Sequence, residues 1–113
     1  LSNLKEIKKK FPNVKIENNY SKFLKYKLDG IIIAVDTNSH FQIAKDCLNN
    51  GFNIFVEKPV TNSIKKLKFL DKLANAKNLF IMSGYVYFYN DYIKYIKKNF
   101  KKKLFRKNLL RIM

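Results

Sequence analysis

Three adjacent residues, Glu57, Lys58 and Pro59, follow the stretch NIFV and bring an acid, a base and a restrained backbone together. Lysine carries a point charge on a flexible stem, so Lys58 is a candidate for orienting a substrate hydroxyl or withdrawing its proton. Glu57 is a candidate for binding Lys58 or the hydroxyl groups of a ligand, and Pro59 shapes the backbone beyond the stretch. The alternative for both charged residues is a solvated side chain, in a protein with 24 Lys and Arg residues.

A second polar segment, DTNSH, follows the apolar run GIIIAV. The hydroxyl of Thr37 and the amide of Asn38 suit hydrogen bonds to sugar or phosphate groups of a ligand, whereas Asn38 is equally suited to cap a helix. His40 is the only histidine, and its place in the first turn of a predicted helix disfavours general acid catalysis. His40 and the single cysteine, Cys47, lack the neighbouring ligands that a metal requires, so no metal site is predicted.

These polar segments lie between strands and helices that the apolar pattern predicts. The β-branched run at 30–35 does not alternate with polar residues, which is typical of a central strand covered on both faces in a parallel sheet. Further strands are predicted at 53–56 and 79–83. Two longer helices are also predicted: one begins at the possible N-caps Asn38 and Ser39 and ends before Gly51, and the other begins after Thr61, Asn62 or Ser63.

The first part of the chain predicts smaller elements. Apolar residues at helical spacing from 4 to 11 predict a helix with lysines around its other face. Val14 and Ile16 alternate with polar residues and predict a short strand. A second short helix is predicted at 21–27, with Ser21 as its N-cap.

The order strand, helix, strand, helix, strand indicates two successive βαβ units. It predicts an α/β fold with a parallel sheet and flanking helices. Ligands of such sheets bind outside the carboxyl ends of the strands. The segments at 36–40, 57–60 and 83–90 each follow a predicted strand, so we expect all three at one edge of the sheet.

Residues 35–74 and the segment after them resemble part of a known family. The family pattern is a strand ending in an A-T-P or similar turn, a histidine a few residues later, a helix ending in glycine, and a strand running into E-K-P. The segment LFIMSGYVYFYNDYIKYIKK is similar to the family's next strand and helix. Over residues 3–100, the chain resembles the second half of the nucleotide-binding domain of the Gfo/Idh/MocA oxidoreductases. The matching residues, in order, are Thr37, Asn38, His40, Gly51, Glu57, Lys58 and Pro59.

The resemblance implies a partial Rossmann-like domain and an NAD or NADP cofactor. It implies hydride transfer between NAD(P) and a sugar-like or cyclitol alcohol or ketone, in an intact enzyme that is a homo-oligomer. Lys58 would be the catalytic lysine beside the nicotinamide and the substrate, and His40 would contribute to local structure and the cofactor pocket. The residues that the resemblance assigns to cofactor binding are Thr37, Asn38, His40, Glu57, Lys58 and Pro59.

Two departures from the family pattern predict a fragment. The Gly-rich turn that approaches the pyrophosphate is absent, because Gly30, Gly51 and Gly84 do not form such a motif. The C-terminal sheet domain is also missing. We therefore predict that residues 1–90 are a partial NAD(P)-binding domain without its first βα unit. Residues 91–113 are predicted to be a linker helix followed by the start of the second domain or a basic tail, with no activity expected from the chain alone.

The formal charge of +16 at pH 7 suggests an alternative, a basic nucleic-acid-binding domain. The charge is concentrated at 1–27 and 94–111, whereas the middle of the chain is nearly neutral. Only two of the basic residues are arginine, and a proteome rich in Lys, Asn and Ile explains the excess without any ligand, so a nucleic-acid partner is not favoured. No apolar run approaches the length of about 20 residues that spans a bilayer, which predicts a cytoplasmic protein without a membrane partner.

Overall fold

The apolar runs form three short strands that pair in parallel. The computed structural model describes residues 2–100. β1 is Gly30–Ile33, β2 is Asn53–Val56 and β3 is Ile81–Ser83, and β2 lies between the other two. The predicted α/β fold with a parallel sheet and flanking helices is therefore confirmed.

Helices connect and flank the strands. The helix after β1, α2 (Thr37–Asn49), ends just before Gly51, whose φ of 83° is a left-handed conformation that glycine adopts at little cost. Within residues 2–100, no helix is long and apolar enough to cross a lipid bilayer. Two short 3₁₀ helices occupy Tyr20–Lys25 and Val86–Tyr89, and the α-helices are α1 (Ser2–Lys10), α2 (Thr37–Asn49), α3 (Ile64–Ala76) and α4 (Asp91–Phe100).

The hydrophobic core lies between one face of the sheet and helices α2 and α3. Val56 from β2, Leu48 from α2 and Leu70 from α3 have no exposed surface. Burying a leucine side chain of this kind contributes about 1.5–3 kcal/mol to folding. The two helices pack against each other and against the strands, so the core holds the strand ends at fixed positions.

The other face of the sheet carries Ile32, Phe55 and Met82. Ile32 is 75% exposed and Met82 is 46% exposed. The expectation that the first core strand is covered on both faces is therefore wrong for the part of the chain that the structure describes. Burial therefore alternates along β1: the side chain of Ile33 points to the helices and is buried, whereas that of Ile32 points away from them and is exposed.

The short strand predicted around Val14 and Ile16 does not form. The backbone groups of Val14 are used elsewhere: its N–H donates to the carbonyl of Phe11 at 3.1 Å, and its carbonyl accepts from the Lys8 ammonium at 3.0 Å. A strand needs a neighbouring ladder, and these contacts hold the segment in a turn instead. The prediction from period-two alternation is wrong here.

The helix starts also differ in detail from the prediction. Asn19 rather than Ser21 caps the first 3₁₀ helix, because its side-chain oxygen accepts the N–H of Ser21 at 3.0 Å. Asp36 rather than Asn38 or Ser39 caps α2. Ser63, one of the three predicted candidates, caps α3 by accepting the N–H of Lys66.

Candidate functional site

The carboxyl ends of the three strands lie side by side, as the topology predicts. The N–H of Glu57 donates to the carbonyl of Ile33 at 3.0 Å, which joins the end of β2 to the end of β1. The N–H of Gly84 donates to the carbonyl of Val56 at 2.9 Å, which joins β3 to β2. The segments that follow the three strands therefore start from one edge of the sheet, where ligands of parallel α/β sheets bind.

The segment after β1 is organised by Asp36. One carboxylate oxygen accepts the N–H groups of Asn38 and Ser39 at 3.1 and 3.2 Å, and the other accepts the Ser39 hydroxyl at 2.7 Å. The hydroxyl and the two N–H groups hold the pKa of Asp36 below its usual value, although partial desolvation opposes them. Thr37 is half-buried and Asn38 is exposed, so both side chains remain available to a ligand at the start of α2.

His40 is buried, with 1% of its surface exposed. Its Nδ1 lies 2.8 Å from the carbonyl oxygen of Pro59, and its Nε2 lies 3.0 Å from the carbonyl oxygen of Val35. Carbonyl oxygens only accept, so a ring nitrogen in such a bond is the donor. A neutral imidazole has one N–H and donates to one carbonyl, whereas the cation donates to both. His40 thus contacts the segments after β1 and after β2.

The segment after β2 is Glu57, Lys58 and Pro59, and the Lys58–Pro59 peptide bond is cis. The carboxylate of half-buried Glu57 accepts the backbone N–H of Lys58 at 3.2 Å. The Lys58 side chain is exposed, and no salt bridge between described residues includes it. Glu57 therefore contacts the backbone of Lys58, and the Lys58 ammonium remains free of a carboxylate within residues 2–100.

Glu57 also lies against the start of the third segment. A Cβ atom built on Gly84 would be 3.0 Å from one carboxylate oxygen of Glu57 and 3.1 Å from its carboxyl carbon. A side chain at position 84 would require the carboxylate to move by a few tenths of an ångström. The sequence identifies Gly84 as the end of a strand, but it contains no signal for this contact with Glu57.

A polar cavity of about 240 Å³ lies between the segments after β1 and β2. Thr37 and Asn38, which the sequence predicts as cofactor-binding residues, line this cavity. Thr61, Asn62 and Ser63, which the sequence indicates only as possible helix caps, line it as well. The Lys66 ammonium lies 5.0 Å from the centre of the Phe41 ring at this cavity. The lining residues are Thr37, Asn38, Phe41, Thr61, Asn62, Ser63 and Lys66.

The segment after β3 presents aromatic side chains. Tyr85, Tyr87 and Tyr89 are 49%, 66% and 66% exposed. The side-chain oxygen of Asn90 accepts the N–H groups of Tyr92 and Ile93 at 3.0 and 3.3 Å, which starts helix α4. Asn90 therefore caps the start of α4.

Metal chemistry has no structural basis in the described part of the chain. Within residues 2–100, no three His, Cys, Asp or Glu side chains are placed to hold a metal ion together. Cys47 belongs to the core, and burial raises the pKa of its thiol to about 11. The thiol therefore remains protonated at neutral pH.

The sequence and the fold match one family of enzymes. The chain matches the family model of Gfo/Idh/MocA, described as an oxidoreductase family with an NAD-binding Rossmann fold, over residues 2–85. The chain belongs to this family.

Relatives of this Gfo/Idh/MocA chain are longer. A Schizosaccharomyces pombe protein described as an uncharacterized oxidoreductase is 32% identical over 63% of the chain and 20% of its own length. A Bacteroides fragilis structure described as an oxidoreductase has a TM-score of 0.66 and is 28% identical over 69% of this chain and 23% of that one. Myo-inositol 2-dehydrogenase from Lactobacillus plantarum, at 24% identity, shares the fold, with a TM-score of 0.77 over 88% of this chain and 30% of its own.

The chain therefore spans 20% of the curated relative and 30% or less of these solved structures. The residues matched to the family model include the segment Glu57, Lys58 and Pro59. The structure brings the predicted residues Thr37, Asn38, Glu57, Lys58 and Pro59 to the same sheet edge, and it places His40 beneath them. Their individual roles stay predictions.

Proposed function

We propose that the chain is part of an oxidoreductase that transfers a hydride between NAD(P) and a sugar-like or cyclitol alcohol or ketone. The observation that carries the proposal is the position of Lys58: its ammonium is exposed beyond the end of β2, free of any salt bridge among described residues. The polar segment after β1 and the aromatic segment after β3 start from the same edge. Family membership adds the NAD-binding Rossmann fold.

The residues at this edge fit a dinucleotide cofactor. Thr37 and Asn38 offer hydroxyl and amide groups at a polar cavity, as hydrogen bonds to ribose and phosphate require. Glu57 offers a half-buried carboxylate, which accepts ribose hydroxyls. When bound, NAD or NADP accepts or donates the hydride. Pro59 shapes the loop that presents Glu57 and Lys58, and His40 supports the pocket from below.

Lys58 is the proposed catalytic residue. Its Nζ would hold the substrate hydroxyl by donating a hydrogen bond, or take part in moving the hydroxyl proton. A free ammonium suits this role because, in the part of the chain that the structure describes, no carboxylate forms a salt bridge with it. The Glu57 carboxylate contributes by fixing the backbone N–H of Lys58 and so the starting point of the side chain.

The remaining parts of the proposal concern the intact enzyme. We assign residues 1–90 to the partial cofactor domain and 91–113 to a linker helix and the start of the second domain or a basic tail. Helix α4 occupies the first part of that linker, and residues 101–113 lie outside the described residues. A homo-oligomeric enzyme in the cytoplasm, with a sugar-like substrate, completes the proposal. Its cyclitol branch is supported by the name of one similar structure, a myo-inositol dehydrogenase.

A combined binding and activity measurement tests this proposal. In ¹H–¹⁵N spectra of the 113-residue chain, NADH and NADPH are added separately, and hydride transfer is assayed with NAD⁺ or NADP⁺ and a panel of polyols. We expect cofactor-dependent shifts at Thr37, Asn38, Glu57 and Lys58, and no turnover from the chain alone. Spectra unchanged by both cofactors would contradict the cofactor site, and turnover would contradict the fragment assignment.

The alternative, a nucleic-acid-binding domain, stays a prediction. It requires tight binding to DNA or RNA that weakens steeply between low and physiological salt. The same spectra recorded with a short duplex at two salt concentrations distinguish it, because the shifts would then fall on lysines of α1 and α4 rather than on the sheet edge.

A further inference from the structure

His40 is the buried polar side chain of the described structure, and it joins two segments of the proposed site. Among residues 3–99, no other polar or charged residue is buried. Its two ring nitrogens meet the carbonyl of Val35, beyond the end of β1, and the carbonyl of Pro59, beyond the end of β2. The functional segments therefore share one side chain beneath them.

The position of this bridge relative to the sheet explains its importance. The last backbone bond between the two segments in the described residues runs from the N–H of Glu57 to the carbonyl of Ile33. Two residues further along each segment, at Val35 and Pro59, the backbones are joined through the ring of His40. The imidazole is rigid and has a nitrogen at each of these contacts, so it sets the separation of the two carbonyls.

A role in filling the core does not account for these contacts. Ala44, Cys47 and Leu48 on the same helix already supply buried apolar surface. An apolar ring of similar size would fill the same volume but would have no N–H to donate to either carbonyl. Direct catalysis is also excluded by geometry, because the ring is 1% exposed and both of its nitrogens already face protein carbonyls.

We propose that His40 is a positioning residue that sets the distance between the Thr37–Asn38 turn and the Glu57–Lys58 loop. Through Val35 it holds the segment that precedes Thr37, and through Pro59 it holds the segment that follows Lys58. This inference rests on the proposed function, because the two segments it aligns are the ones assigned to cofactor and substrate. His40 acts through these backbones and touches neither ligand.

The test compares His40→Phe with Cys47→Ala in the 113-residue chain. Phenylalanine keeps a ring in the core but has no ring nitrogen and no N–H to donate, whereas Cys47→Ala perturbs the same helix at a residue that is also 1% exposed. His40→Gln restores a donor and serves as the conservative variant. Amide hydrogen exchange and ¹H–¹⁵N spectra are recorded for each variant, followed by NADH titration and urea unfolding.

We expect His40→Phe to shift amide signals and accelerate exchange in both segments, at 36–39 and 57–60, and to weaken NADH binding about tenfold. Cys47→Ala should leave these signals and the affinity unchanged at a comparable loss of stability, and His40→Gln should recover part of the affinity. If His40→Phe does not fold, His40→Gln is compared with Cys47→Ala instead. The same quantities test the inference: the amide signals and exchange rates at 36–39 and 57–60, and the NADH affinity.

The inference is overturned if His40→Phe, or His40→Gln where His40→Phe does not fold, alters stability alone and leaves both segments and the NADH affinity as in the unmodified chain. Failure of the proposed function looks different. In that case the unmodified chain does not bind NADH, while the exchange and amide signals of the variants still report whether His40 joins the two segments.

Discussion

The carboxylate of Glu57 lies directly against Gly84. A Cβ atom at position 84 would stand 3.0 Å from one oxygen of that carboxylate, closer than such atoms normally approach. The same carboxylate accepts the backbone N–H of Lys58. The end of β3 therefore limits where Glu57 can lie, and Glu57 in turn contacts the backbone of the proposed catalytic lysine.

Gly84→Ala is expected to displace the Glu57 carboxylate. Because the clashing atoms belong to the end of a flexible side chain, the stability of the fold should change little, while the amide signal of Lys58 should shift as its acceptor moves. A double-mutant cycle in ¹H–¹⁵N spectra measures this effect. In a Glu57→Ala background, Gly84→Ala should leave the Lys58 amide where it is. An equal shift in both backgrounds would show that the alanine acts on the backbone directly.

Lys58→Met is expected to weaken NADH binding by the chain about tenfold, because Lys58 is also a proposed cofactor-binding residue and the loss of one charge-assisted hydrogen bond has an effect of about this size. Methionine retains the length and flexibility of the side chain but has no donor. The stabilisation of the chain by NADH in thermal unfolding provides the measurement. Lys65→Met, on the exposed surface of α3, is the matched control and should keep the full NADH effect. Equal losses in both variants would indicate a general charge effect.

Asp36 is expected to make the stability of the chain depend on pH. Its pKa in the folded chain lies below the usual 3.8, first because the Ser39 hydroxyl donates to it. A carboxyl with a lowered folded-state pKa stabilises the fold above its unfolded-state pKa, and this stabilisation is lost as the pH falls through the folded-state value. Asp36→Asn keeps a capping oxygen but does not ionise. Its Tm should therefore lie below that of the unmodified chain at neutral pH, and the difference should vanish in acid.

The control for Asp36 is Asp71→Asn, which removes the same charge from an exposed position within α3. Thermal unfolding of both variants between pH 2 and pH 7 gives the comparison. A pH-dependent difference of equal size for Asp71→Asn would mean that net charge, rather than the cap, is responsible.

Leu70→Ala is expected to lower the free energy of unfolding by about 2–5 kcal/mol, because it leaves a cavity between α3 and the sheet. Leu70 has no exposed surface, whereas Leu67 on the same helix is 44% exposed. Urea unfolding should therefore show a loss of less than about 1 kcal/mol for Leu67→Ala. Similar losses for both variants would contradict the structure, in which Leu70 faces the core and Leu67 is partly exposed.

Much of the fold follows from local patterns. The β-branched run at 30–33 and the stretch at 53–56 form strands, and the glycine at 51 follows helix α2 as predicted. These signals are local because hydrophobic periodicity and helix ends depend on neighbouring residues. The predictions for the first part of the chain are weaker for a physical reason. The alternation at Val14 and Ile16 indicates a strand, but the Lys8 ammonium and the carbonyl of Phe11 occupy the backbone groups that a ladder needs.

The sequence by itself determined that three candidate segments follow three parallel strands, since the parallel direction of the strands follows from the βαβ pattern. Only the tertiary structure decided how these segments touch. The contact of His40 with Pro59 spans 19 residues, and the fit of Glu57 against Gly84 depends on the register between β2 and β3. Neither contact leaves a periodic signal in the chain, because each arises from packing between elements that are distant in sequence.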